Sequence, residues 1–397
     1  MFDKLKDTLT QLRRDGGHRI SRPLAVTGHM VQEASNQQRM VNFSGNDYLG
    51  LASDTALQQA FFDHYGTHQS NWMTSSSSRP LTGTSLRHAE LERSIANSYQ
   101  KEAALLFNSG YHANTGILSA ITGKGDLVLA DKLVHASVID GLKLSQADYK
   151  RFAHNNMSHL EQLLAKFRDD YHNVWIVTES VFSMDGDVAP LAELVRLKKA
   201  YNALLYVDEA HAVGSIGQQG LGLAVAQDQI EDVDLLIGTF GKALAGYGGF
   251  AAGNAILIDA MINFSRSWLF STALPPINID WNLFIWQQLD DFAPQRQQLA
   301  ALTTQFKAAL TTAKQQYLGE TYIVPLLKPG NHQAIAVADA LHAAGLLALP
   351  IRSPTVAAGS ERIRFSLTAN LPADSLQRCV AVLAEQSAEQ PLTNSEA

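Results

Sequence analysis

Leu235-Leu-Ile-Gly-Thr-Phe-Gly-Lys-Ala243 decides how this chain is read. Leu235 to Ile237 form an apolar run suited to a buried strand, and Lys242 follows just past its end. Upstream, Ala203 to Val207 is a second such run and leads into Asp208-Glu-Ala-His211. A lysine and an aspartate at the ends of two buried strands are what a pyridoxal phosphate (PLP) site requires. The amine forms a Schiff base with the cofactor aldehyde, and the carboxylate keeps the pyridine nitrogen protonated so that the ring accepts electrons. A nucleotide phosphate loop is excluded. That pattern needs glycine where Leu236 stands and Ser or Thr where Ala243 stands.

Working outward, short apolar runs alternate with helical stretches from about residue 50. Strands are expected over Ala103 to Phe107, Asp126 to Ala130, Val174 to Glu179, Ala203 to Asp208, Leu235 to Thr239 and Gly249 to Ala252. This rhythm predicts an α/β domain with a mainly parallel sheet. Such sheets bind ligands at the carboxyl ends of their strands, where Glu179, Asp208 and Thr239 lie. Phe2, Leu5, Leu9 and Leu12 predict an opening amphipathic helix that stops at Gly16-Gly17, followed by a non-helical arm through Phe43. After Pro275-Pro276 a Gln-rich helical region (Trp281 to Gln316) leads to a strand near Tyr322 to Leu326 and a helix over Ala334 to Ala344. In Arg362-Ile-Arg-Phe-Ser-Leu the arginines alternate with apolar residues and share one face. The expected division is 1–49 helix and arm, 50–278 large α/β domain, and 279–397 smaller C-terminal α/β domain with a disordered tail from Glu389.

Other strand ends carry suitable chemistry. His211 is placed to reach a phenolic oxygen, and Ser183 offers a hydroxyl in a turn. Asn108-Ser-Gly-Tyr-His-Ala-Asn opens a helix directly after a strand, where free amides make an anion site and Gly110 allows close approach. His135 also follows a strand and is suited to stack on a planar ring. Singly, these residues have ordinary readings as a core histidine, a turn serine and a strand-to-helix turn. On successive strand ends they converge.

Composition sets outer bounds. The 397 residues are 46% hydrophobic, enough for two domains with cores. The net charge of -7, with no basic block, argues against a nucleic-acid partner. No apolar stretch is long enough to span a bilayer, and the charged opening is not expected to be a secretory leader. A single cysteine, Cys379, fits a reducing cytoplasm and reads as a buried structural thiol. No metal site is expected.

With these residues in place, the chain resembles the α-oxoamine synthase family, PLP-dependent transferases of the aspartate-aminotransferase-like fold. The resemblance rests on 42–51 (Asn-Phe-Ser-Gly-Asn-Asp-Tyr-Leu-Gly-Leu), Phe107 to Tyr111, His135 to Ser137, Val181 to Asp187, Val207 to His211 and Gly238 to Lys242. It implies that Lys242 is the Schiff-base lysine, Asp208 the pyridinium partner and His135 the stacking residue. It further implies that Ser183 and His211 contact the ring oxygen, and that Gly110, Tyr111 and Thr239 hold the cofactor. Ser271 and Thr272 would reach the cofactor phosphate of the partner in a homodimer, Arg364 would bind the amino acid carboxylate, and Arg19 and Thr355 would contact the acyl substrate. The implied reaction is a decarboxylative condensation of an amino acid with an acyl thioester.

Arg151 to Asn156, Phe270 to Pro276 and Arg352 to Gly359 narrow the resemblance to members joining L-alanine to a pimeloyl thioester. Phe270, Ala357 and Asn370-Leu371 depart from common family residues, the last two near the acyl-substrate region. Rival readings are a glycine acetyltransferase, an acyl aminoketone signal synthase, and a non-catalytic PLP-fold or nucleotide-binding protein.

Overall fold

The computed structural model describes residues 2–353 and 355–388; the expected tail from Glu389 lies outside them. The chain divides into two units, Asp54–Ser183 with Val188–Arg296, and Met1–Ser53 with Met184–Asp187 and Gln297–Ala397.

The larger unit is organised by a seven-stranded sheet. Its spatial order is Ala103–Phe107, Gly249–Gly253, Leu235–Thr239, Leu204–Asp208, Val174–Glu179, Leu127–Asp131 and Asp148–Phe152. All pairings are parallel except those of Gly249–Gly253, which runs antiparallel to both neighbours. The central strands are apolar because helices cover both faces. Val128, Val177, Tyr206 and Ile237 pack with Ala113 and Ile117 of the Gly110–Ile121 helix and with Val138 and Leu142 of the Ala136–Leu144 helix. Each such aliphatic side chain contributes roughly 1.5–3 kcal/mol on burial, so a charge at Ile237 would disrupt the sheet. The glycine in Leu-Leu-Ile-Gly-Thr is equally constrained. A Cβ on Gly238 would lie 2.2 Å from the ring of Phe250, its register partner.

The Asp148–Phe152 strand was not anticipated. As an edge strand it is mostly exposed and polar, so it carries no apolar run. The Gln-rich region is also not continuous. It breaks into helices Pro276–Gln287 and Ala293–Thr312 around a 3-10 turn at Leu289–Phe292, where Arg296 donates to the Leu289 carbonyl at 2.8 Å. The first of these helices buries Ile279, Leu283 and Trp286, with Trp286 against Phe250 and Tyr99. That packing assigns the helix to the larger unit, so the division falls at Arg296 rather than near residue 279.

In the smaller unit the opening helix is Asp3–Arg14. The expected non-helical arm forms an antiparallel meander, Leu24–Thr27, Met30–Glu33 and Arg39–Asn42, extended by parallel pairing of Arg39–Asn42 with Leu346–Leu347. The arm therefore belongs to this unit and is not a separate N-terminal segment. A second sheet orders Ile323–Leu327, Arg362–Ser366 and Pro350–Ile351, all antiparallel. Arg362–Ser366 is buried along its whole length, not on one face alone. Its arginine face is covered: Arg362 Nη1 meets Asp185 Oδ1 at 2.6 Å and the Met184 carbonyl at 3.1 Å.

Candidate active site

Three adjacent parallel strands end together. Glu179 is in register with Asp208, and Asp208 with Ile237, so Thr239 and the following turn bring Lys242 to the same end of the sheet. Lys242 is half-buried in that turn, not the first residue of a helix. His135 caps the Ala136–Leu144 helix at the end of the neighbouring strand. Its imidazole has a lowered pKa: burial is the main cause, the Asp208 charge opposes it, and Lys242 adds to it. The Asp208 carboxylate and the Lys242 amine thus both act electrostatically on the His135 ring.

The Asp208 side chain is buried and accepts hydrogen bonds from Asn114 Nδ2 at 2.8 Å and the Ala210 amide at 2.9 Å. Beside it, Glu179 is wholly enclosed. Desolvation, reinforced by Asp208, pushes its carboxyl pKa well above the ordinary value. His211 is buried three residues after Asp208, and Ser183 is half-buried in the turn beyond the Val181–Val188 bridge.

Facing these groups is a helix N-terminus. Ser109 caps the Gly110–Ile121 helix by accepting the His112 amide at 3.1 Å. Gly110 lies against Thr239, whose Cβ would be 3.7 Å from an added Gly110 Cβ. Gly249 passes so close that its own Cβ would stand 2.7 Å from the Gly110 nitrogen. The glycines thus allow a close-packed cradle at the positive end of a twelve-residue helix, suited to a phosphate. Thr239 Oγ1 donates to the Gly248 carbonyl at 2.9 Å and accepts the Gly241 amide at 3.2 Å, ordering the loop that carries Lys242. Tyr111 is exposed and donates to Asp140 at 2.6 Å.

Ser271 is half-buried and Thr272 exposed. Thr272 bridges to Ser78, and its carbonyl accepts from Asn108 Nδ2 at 2.8 Å. In the smaller unit, the buried Arg364 guanidinium lies 3.4 Å from Asn46 Oδ1 and 3.5 Å from the Tyr48 hydroxyl. Arg19 donates to Thr355 Oγ1, and both line a cavity of about 670 Å³ with Ile20, Leu349, Ile351 and Arg352.

Sequence analysis gave no role to Asn114, Ser137 or Tyr206, which link Asp208 to His135. Asn114 lay within a quoted motif, but only the helix packing directs it at the Asp208 strand end. Among the described residues no cluster of His, Cys, Asp or Glu could hold a metal, and no helix is long and apolar enough to cross a membrane.

The buried carboxylate, the lysine, the imidazole and the helix N-terminus thus lie at the carboxyl ends of the strands, and the chain belongs to the Aminotransferase class I and II family, whose model matches residues 38–383. The chain is 50% identical over 358 residues to the 8-amino-7-oxononanoate synthase of Haemophilus ducreyi, covering 88% of this chain and 92% of that one. Among solved structures, a serine palmitoyltransferase from S. paucimobilis with bound PLP and myriocin superposes with a TM-score of 0.87 at 27% identity, over 98% of each chain. The 8-amino-7-oxononanoate synthase of Francisella tularensis gives 0.73 at 27% identity, over 88% of this chain and 98% of that one.

Proposed function

We propose that this chain joins L-alanine to a pimeloyl thioester, giving 8-amino-7-oxononanoate, free thiol and carbon dioxide, a step of biotin biosynthesis. The likeness to the H. ducreyi synthase, at 50% identity over 88% of the chain, carries the choice of reaction. Pyridoxal 5'-phosphate is the cofactor. The residues at the strand ends fit it: a helix N-terminus with room for phosphate at Gly110, a buried carboxylate for a ring nitrogen at Asp208, and an amine at Lys242. When bound, PLP supplies an electron sink for charge developing at the alanine α-carbon.

The chain's own groups divide the remaining work. Lys242 would hold the cofactor through its amine, and the same amine would remove the alanine α-proton. Asp208 keeps the ring nitrogen protonated, with Ser183 and His211 assigned to the ring oxygen. Gly110, Tyr111 and Thr239 are assigned to cofactor binding. Arg364 receives the alanine carboxylate, where a planar guanidinium suits paired hydrogen bonds. Arg19 and Thr355 contact the acyl chain. His135 carries the proton delivered near the new carbonyl after carbon dioxide leaves.

The proposed working form is a cytoplasmic homodimer in which Ser271 and Thr272 serve the partner's cofactor phosphate. Supporting this, Phe270 beside them is 71% exposed in the single chain. Thiol release should be measured for alanine, glycine and serine, each against acetyl, pimeloyl and longer acyl thioesters. Alanine with the pimeloyl thioester should give the highest kcat/KM. Faster turnover of glycine with acetyl-CoA would overturn the substrate assignment.

A further inference from the structure

We infer that Asn114 is a positioning residue that, acting through Ser137, fixes the His135 proton on Nε2 and ties that choice to the Asp208 carboxylate. A continuous hydrogen-bond chain runs between the two site residues. Asn114 Nδ2 donates to Asp208 Oδ2 at 2.8 Å and to Ser137 Oγ at 2.9 Å, and Ser137 Oγ lies 2.7 Å from His135 Nδ1. Asn114 Oδ1 accepts from the Tyr206 hydroxyl.

The direction of every bond follows from its two ends. A carboxylate only accepts, so the amide nitrogen of Asn114 must face Asp208, leaving its oxygen for Tyr206. The second Nδ2 hydrogen then occupies Ser137 Oγ. At the other end the Ser137 backbone amide, which only donates, points at His135 Nδ1 from 3.3 Å. Nδ1 is therefore an acceptor, and the Ser137 hydroxyl donates its own hydrogen to it. The remaining ring proton sits on Nε2. Asn114, Ser137 and Tyr206 are all buried, so water does not compete for these bonds, and reversing one would leave a donor or acceptor unmet.

The ring's surroundings support the same state. Burial and Lys242 disfavour the charged imidazole, opposed by Asp208 and Asp140. His135 thus stands as a neutral ring with a donor on the nitrogen away from the network. Its value in catalysis rests on the PLP-dependent function proposed above; the proton's location does not.

The proton can be located without turnover. In holoenzyme labelled with ring-13C histidine, the His135 Cδ2 resonance distinguishes the two neutral tautomers and is assigned by its disappearance in His135→Gln. The wild type should show the Nε2–H form. Asn114→Ala and Ser137→Ala weaken or remove the 2.7 Å hydroxyl donor and leave Nδ1 only the longer 3.3 Å amide contact, so the resonance should shift part of the way toward the Nδ1–H position, whereas Tyr206→Phe, which spares both Asn114 donors, should leave it in place. Circular dichroism identifies which variants fold, and Ser137→Ala decides alone if Asn114→Ala does not. A wild-type Nδ1–H form, or an unmoved resonance in the folded variants, would overturn the inference even in an enzyme active on alanine. Loss of the proposed condensation with the resonances as expected would instead fault the function.

Discussion

Glu179 and Asp208 stand opposite each other in register on adjacent parallel strands, placing two buried carboxyl groups side by side. They are served differently. Asp208 accepts from Asn114 and from the Ala210 amide, while Glu179 Oε1 has no hydrogen-bond partner among the described residues. Burial, reinforced by the Asp208 charge and opposed by Lys242, raises the Glu179 pKa and so favours its protonated form.

Glu179→Gln should therefore be tolerated and, at alkaline pH, stabilising. With its folded-state pKa raised, Glu179 binds more protons in the folded than in the unfolded chain once pH exceeds about 4.5. Its contribution to stability then falls as pH rises. Thermal melts should place the variant above wild type at about pH 8, with the difference vanishing toward about pH 4. A variant less stable than wild type at the higher pH would contradict this.

Lys242→Ala should lower turnover by about a thousandfold or more while leaving the fold intact, because the covalent anchor and the α-proton base are lost together. Borohydride reduction of the wild type followed by peptide mapping should label Lys242. Label on another lysine would refute the assignment.

Asp208→Asn should retain PLP yet lose about a hundredfold or more in kcat, since an amide cannot hold the ring nitrogen protonated. Cofactor content by absorbance and steady-state rates test this together. Turnover within a few-fold of wild type would count against Asp208.

The large unit was legible because its central strands are continuous apolar runs, each ending in a chemically distinctive residue. Asp208 and Lys242 could be placed at the strand ends for that reason. The Asp148–Phe152 strand could not, since an edge strand need not be apolar, and the Arg39–Asn42 pairing with Leu346–Leu347 joins segments far apart in sequence. Asn114 stayed hidden for a related reason. Local spacing places it one helical turn past Gly110, but only packing of that helix on the sheet aims it at Asp208. Alternation in Arg362–Ser366 correctly put both arginines on one face yet could not show what covers it.

That cover supplies a stability test. Arg362 meets Asp185 at 2.6 Å with both side chains largely buried, so Asp185→Ala strands a buried guanidinium. Removing one partner of such a pair costs about 3 kcal/mol. A urea midpoint lowered accordingly is expected, with Asp185→Asn milder; an unchanged midpoint in Asp185→Ala would show that Arg362 is held by other groups.

The central claim is the condensation itself. Purified enzyme with PLP, L-alanine labelled with 13C at its carboxylate, and pimeloyl-CoA should yield coenzyme A, labelled carbon dioxide and unlabelled 8-amino-7-oxononanoate in equal amounts by mass spectrometry. Pyruvate in place of that product, or label retained in the product, would contradict the account.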